Sequence, residues 1–97
     1  MGRRAPRQAA GAIRLVRDRA APRTGLAAVQ SAWEESVGER IAAVAEPVAE
    51  RGGAIVVECE SAVWAQELDL MQAQLLGALA ERLGEAAPQR LRFEARR

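Results

Sequence analysis

A small two-layer α+β domain, with helices covering one face of a three-stranded sheet, is the fold class that this sequence of 97 residues predicts. Three observations lead there. Apolar residues recur every third or fourth position over residues 26–44 and again over 64–83, the spacing of buried helix faces. Residues 55–60 and 91–96 alternate apolar and polar, as half-buried strands do. A Gly52-Gly53 pair sits where a hairpin turn would join two extended segments. The length permits one hydrophobic core and excludes a two-domain enzyme, because a separate core needs on the order of 50 residues.

Taken in order, the elements read α-α-β-β-α-β. In the first helix Ala9, Ile13, Val16 and Ala20 keep helical spacing, and Arg3, Arg7, Arg14 and Arg17 gather on a neighbouring face. Pro6 limits this helix toward its start, and its mostly alanine face offers little burial. Thr24 is a suitable cap for the second helix, whose stripe is Leu26, Val29, Trp33, Val37, Ile41 and Val44, ended by Pro47. Gly38 lies inside that stripe as a kink, a break, or a point of close backbone approach. A hairpin follows over residues 47–60, with Ile55, Val57 and Cys59 facing the core and Val56, Glu58 and Glu60 facing out. Ser61 caps a long third helix with the stripe Trp64, Leu68, Met71, Leu75, Leu79 and Leu83, closed by Gly84. Pro88 opens a last strand in which Leu91, Phe93 and Ala95 are buried and Arg90, Arg92 and Arg96 give the outer face a basic character. Residues 1–23 thus form a basic arm and residues 24–97 a globular domain.

The composition narrows the chemistry. A hydrophobic fraction of 49% with 28% charged residues is that of a folded chain. Histidine, tyrosine and lysine are absent, which removes the side chains of most neutral-pH acid/base, Schiff-base and imidazole-ligand chemistry. One cysteine makes no internal disulfide, and without histidine it completes no zinc set, so neither metal nor cofactor is expected. Cys59 reads as a small buried hydrophobe, with the flanking acids raising its pKa. Glu34-Glu35 and Glu58/Glu60 read as solvated faces, and Gly52-Gly53, lying between strands, is a turn and no phosphate cradle. No catalytic site emerges. Nor does any apolar run approach the roughly 18–20 residues that span a bilayer, so the chain reads as cytoplasmic, without a membrane or small-molecule partner.

Charge is unevenly placed. Residues 1–23 carry Arg3, Arg4, Arg7, Arg14, Arg17, Arg19 and Arg23 against Asp18 alone, a net of +6, while the other 74 residues are net −5. Such an asymmetry suits contact with a polyanion, and those seven arginines with Arg90, Arg92 and Arg96 are the candidate nucleic-acid contacts.

The run Trp33-Glu34-Glu35-Ser36-Val37-Gly38-Glu39-Arg40-Ile41-Ala42, then Pro47, then Gly53-x-Ile55-Val56-Val57, then Ser61-x-x-Trp64-Ala65-Gln66-Glu67-Leu68 resembles the DciA family over about residues 24–96. That bacterial family loads or operates the replicative DNA helicase. The resemblance implies a KH-like domain that contacts the helicase and binds single-stranded or structured DNA without being an enzyme. It implies a partner interface built around Trp33, Gly38, Trp64, Gln66 and Leu68. Of the two tryptophans, each on an apolar stripe, Trp64 is expected to be the more exposed because it sits in the first turn of its helix, nearer the sheet edge. The sequence departs from true KH domains in lacking a Gly-x-x-Gly loop, so DNA contact falls to the arginines, which neutralise phosphate without reading bases. Many family members carry a long basic extension. Either the arm over residues 1–23 stands in for it here, or this chain is a reduced relative.

Two other readings stay open: a general nucleic-acid-binding KH-like module with no helicase partner, and a protein that pairs through a sheet edge. If the arm holds DNA, deleting residues 1–23 removes most nucleic-acid affinity and most of its salt dependence. Unchanged binding by the deletion variant in a salt titration would refute the arm reading.

Overall fold

Val29 and Trp33 stand one turn apart and are buried, with Leu26 and Val37 half-buried on the same stripe, so residues Gly25–Val37 coil into helix α1 with that stripe inward. The computed structural model describes residues 25–96. The arm, its expected helix and the Thr24 cap lie outside the described residues.

Gly38 breaks the second expected helix. Its φ of +97° is one that side chains with a Cβ rarely adopt, and it leaves a single further turn, α2 (Glu39–Ala42). The Gly38 N–H still closes the last turn of α1 onto the Glu34 carbonyl at 2.8 Å. A Cβ there would meet nothing within 4 Å, so the glycine serves backbone conformation and not close approach.

The hairpin forms with longer arms than its sequence pattern suggests: β1 is Ala45–Arg51 and β2 is Ala54–Cys59, joined by Gly52 and Gly53 at φ +56° and +82°. Pro47 is tolerated inside β1 because β1 is an edge strand, and the ladder shifts between Pro47 and Ala49. The alternation expected in β2 is overridden in part. Ile55, Val57 and Cys59 are buried as expected, yet Ala54 and Val56 on the opposite face are also only 2% and 1% exposed. β2 is the middle strand, and its apolar run Ala54–Val57 is closed on both faces.

Where one long helix is expected, the chain makes two. Ser61 caps α3 (Ala62–Leu70), its hydroxyl accepting from the Trp64 N–H at 3.2 Å. At Met71 the backbone leaves helical geometry (φ −95°, ψ 11°), and α4 (Gln72–Leu83) begins. The Met71 N–H reaches only three residues back, to the Leu68 carbonyl. The break redirects the chain: α3 lies against the last strand and β2, whereas α4 packs along α1. The apolar stripe survives it, with Leu68, Leu75 and Leu79 all buried. Gly84, at φ +56°, ends α4 and leads through a short 3-10 turn (Gly84–Ala86) to β3 (Leu91–Ala95).

The sheet order is β1-β2-β3, antiparallel between β1 and β2 and parallel between β2 and β3. The helices cover one face. Between them and the sheet lie Val29, Trp33, Ile55, Val57, Cys59, Leu68, Leu75, Leu79 and Leu91, with Trp64 and Phe93 half-buried at the margin. The α+β class, the two layers and the element order over the described residues are those read from the sequence.

Trp33 does more than fill space. Its Nε1–H donates to the Ala45 carbonyl at 2.9 Å in a buried setting, which fastens α1 to the outer edge of β1. Trp33→Phe keeps an aromatic ring but removes the N–H and the five-membered ring, leaving that carbonyl unpaired, an expected loss of about 2 kcal/mol or more measurable by denaturant unfolding.

Candidate functional site

Two shallow depressions lie along opposite edges of the sheet. The larger, of about 450 Å3, runs between α3 and β3 and is lined by Ala65, Gln66, Asp69, Gln72, Arg90, Leu91, Arg92 and Phe93. Its walls follow from the local chemistry. Alternation in β3 sends Leu91 and Phe93 toward the helices and Arg92 outward. Gln72, the first residue after the helix break, spans the groove floor. Its Oε1 accepts the Leu91 N–H at 2.9 Å while its Nε2 donates to Asp69 Oδ1 at 3.0 Å. Gln72 therefore ties the α3–α4 junction to the edge strand. Sequence reasoning passed over it, because its role depends on a helix break that neither glycine nor proline marks.

The second depression, of about 360 Å3, lies between α1 and β1 and is lined by Gln30, Trp33, Glu34, Ala42, Glu46 and Pro47. Two glutamates give it the opposite electrostatic character.

The structure divides the expected partner residues between these edges. Trp33 is 4% exposed and lines the β1 side, with exposed Gly38 following α1. Trp64 is half-buried on α3 and Gln66 is exposed in the α3–β3 groove. Leu68 is fully buried, so it supports α3 from beneath. Two residues outside the sequence-derived set are more available: Val63 and Leu70, 71% and 78% exposed, seven residues apart and so on one side of α3. Their one sequence signal is that both fall off the apolar stripe.

The three described arginines of the candidate nucleic-acid set also separate. Arg96 lies 3.7 Å from Glu46 and 3.5 Å from Glu58, and Arg92 lies 3.3 Å from Glu94. The outer face of the sheet is thus mixed in charge and not simply basic: the register aligns Glu46, Glu58 and Glu94 across all three strands. Arg90, at the groove, forms no ion pair among the described residues. Arg3, Arg4, Arg7, Arg14, Arg17, Arg19 and Arg23 lie outside the described residues.

Cys59 is fully buried, its thiol 3.8 Å from the Val57 carbonyl. Burial pushes its pKa above the ordinary thiol value, and Arg96 pulls weakly the other way. Desolvation, and not the neighbouring acids, is the cause. Among the described residues no cluster of three or more cysteines and carboxylates is arranged to hold a metal, and no helix is long and apolar enough to cross a membrane.

An antiparallel hairpin extended by a parallel third strand, with helices on one face and a groove along the third strand, defines a KH-like α+β domain. The comparison with known families agrees. The family model "Dna[CI] antecedent, DciA" matches residues 8–93, and the chain belongs to that family. A UPF0232 protein of Rhodococcus jostii is 39% identical over 72 residues, covering 74% of this chain and 38% of the relative. Another, of Mycolicibacterium paratuberculosis, is 41% identical over 76 residues, covering 73% and 42%. One from Mycobacterium tuberculosis is 44% identical over 52 residues, covering 54% and 28%. The chain therefore spans well under half the length of these relatives.

Because the folded protein holds the Cys59 proton more tightly than the unfolded chain does, that contribution to stability is fully present below about pH 8.5 and is lost as pH climbs through the raised value. With no histidine, lysine or tyrosine present, Cys59 is the one side chain titrating in the alkaline range below arginine. Unfolding free energy should fall above that pH in wild type, and Cys59→Ala should flatten the slope in a pH series of denaturant melts.

Proposed function

We propose that the protein is a non-enzymatic DNA-replication accessory factor that binds the replicative DNA helicase and DNA and acts as a helicase loader. Membership of the DciA family over residues 8–93 carries this reading. The groove between α3 and β3 supports it, since Arg90 stands there without an ion-pair partner among the described residues and Gln66 and Arg92 stand beside it. In this reading Arg90 and the basic arm over residues 1–23 neutralise DNA phosphates, while residues 24–97, net negative, provide the protein contact. No base-reading step is required. Phosphate contacts fix position and orientation, and a loader acting at many sequences needs nothing more.

The helicase contact centres on α3. Trp64 presents part of its ring there, and Val63 and Leu70 add apolar surface on the same helix. A half-exposed tryptophan flanked by aliphatic side chains is the composition from which interface anchors are built. Trp33 and Leu68 hold α1 and α3 in place from the core, and Gly38 sets the turn beside α1.

The test is association of the full chain with the replicative helicase of the same organism, by light-scattering chromatography, with and without single-stranded DNA. Association is expected, and Trp64→Ala should weaken it while leaving the circular-dichroism spectrum unchanged. Arg90→Ala should leave helicase binding alone and lower the salt slope of single-stranded DNA binding by about 0.7, one phosphate's worth. Salt-sensitive DNA binding with no helicase association under any condition would replace the loader reading with that of a general nucleic-acid module.

A further inference from the structure

The two edges of the sheet are finished differently. Along β1 the outward carbonyls of Ala45 and Pro47 accept from Trp33 Nε1 at 2.9 Å and Gln30 Nε2 at 3.1 Å. Pro47 has no N–H to offer, and the register shift beside it interrupts the edge. The first half of that edge is thereby closed to another strand. Along β3, among the described residues, a single outward group is covered, the Leu91 N–H by Gln72. The Ile55 N–H bonds to the Arg90 carbonyl and the Arg96 N–H to the Cys59 carbonyl, so residues 90, 92, 94 and 96 spend their backbone groups on β2. Leu91, Phe93 and Ala95 point theirs away from the sheet. Among the described residues no strand or side chain pairs with the Leu91 carbonyl or with either Phe93 backbone group.

We propose that β3 pairs with β3 of a second copy of this chain, antiparallel about a two-fold axis at Phe93, joining the two sheets into one of six strands. The register is self-complementary. Phe93 faces the partner subunit's Phe93 and exchanges both backbone bonds with it, and Leu91 faces the partner subunit's Ala95, so the outward-pointing residues meet one another. Between them Arg92 falls opposite the partner subunit's Glu94, twice by symmetry, at the positions where cross-strand side chains come closest. Within one chain Arg92 lies 3.3 Å from Glu94, with side-chain exposures of 67% and 39%, so pairing between copies exchanges that contact in each copy for two across the axis. One pair opposes: Arg90 faces the partner subunit's Arg96. Glu46 and Glu58 already lie at 3.7 and 3.5 Å from Arg96 and offset its charge. An axis normal to the sheet also keeps both helical layers on one face of the joined sheet.

Sedimentation equilibrium of the full chain from about 10 μM to 1 mM should show a monomer–dimer equilibrium. Arg92→Glu and Glu94→Arg, each alone, set like charges across both sides of the axis and should weaken association by about tenfold. Mixed in equal amounts, the two variants should associate more tightly than either does alone, because each new charge then meets its opposite. This restoration isolates the contact between copies, since a contact within one chain would not respond to mixing. A monomer at every concentration, a mixture no tighter than its components, or dimerisation seen only with added single-stranded DNA would overturn the proposal.

Discussion

Everything else in the fold is arranged around the burial of β2. Its six residues are hydrogen-bonded on both sides, antiparallel to β1 and parallel to β3, and four of them in succession, Ala54–Val57, are almost wholly removed from solvent. A strand so enclosed needs an apolar layer against it and a crossover long enough to bring β3 back in the same direction. The segment from Ala62 to Leu83 meets both needs. Its break at Met71 lets α3 seat against β3 while α4 packs on α1, which one straight rod could not do.

Each edge of the sheet inherits its character from that arrangement. The position of α1 over β1 brings Trp33 and Gln30 within reach of the outward carbonyls, so the first half of one edge is sealed by side chains of its own covering helix. The opposite edge meets α3 at an angle that leaves a groove, and Gln72 bridges only its inner end. Arg90, without an ion-pair partner among the described residues, and exposed Gln66 stand at this second edge, beside backbone at Phe93 that pairs with no described strand other than β2. The outer face of the sheet, where arginines and glutamates neutralise one another, offers a charged ligand less.

Most of the architecture was legible because it rests on periodicity. Stripes of Val29 and Trp33, or of Leu68, Leu75 and Leu79, announce helices whatever their neighbours do, and Gly52-Gly53 announces a turn. Gly38 was recognisable as an irregularity, though only its φ shows that conformation and not crowding requires it. The break at Met71 was illegible: no glycine or proline marks it, and the apolar stripe runs through unchanged. Val56 misled for a related reason, since alternation assumes a face wet along its whole length, whereas Ala54 and Val56 on the outer side of the middle strand are buried and only Glu58 is part-exposed there. The candidate site was legible in residue type and not in grouping. Arginines can be counted in a sequence, but which of them are spent on Glu46, Glu58 and Glu94 is decided by register across three strands.

The parallel pairing of β2 with β3 also has a history in time. The hairpin of β1 and β2 closes over a two-residue turn and forms from local contacts, whereas β3 must return across more than thirty residues to reach its place beside Ile55. Closing so long a loop costs chain entropy before any contact rewards it. On a chain emerging from the ribosome, β2 is made well before its second neighbour exists. For that interval the most apolar strand of the protein has one bare edge, and α3 and α4, synthesised next, are its first shelter.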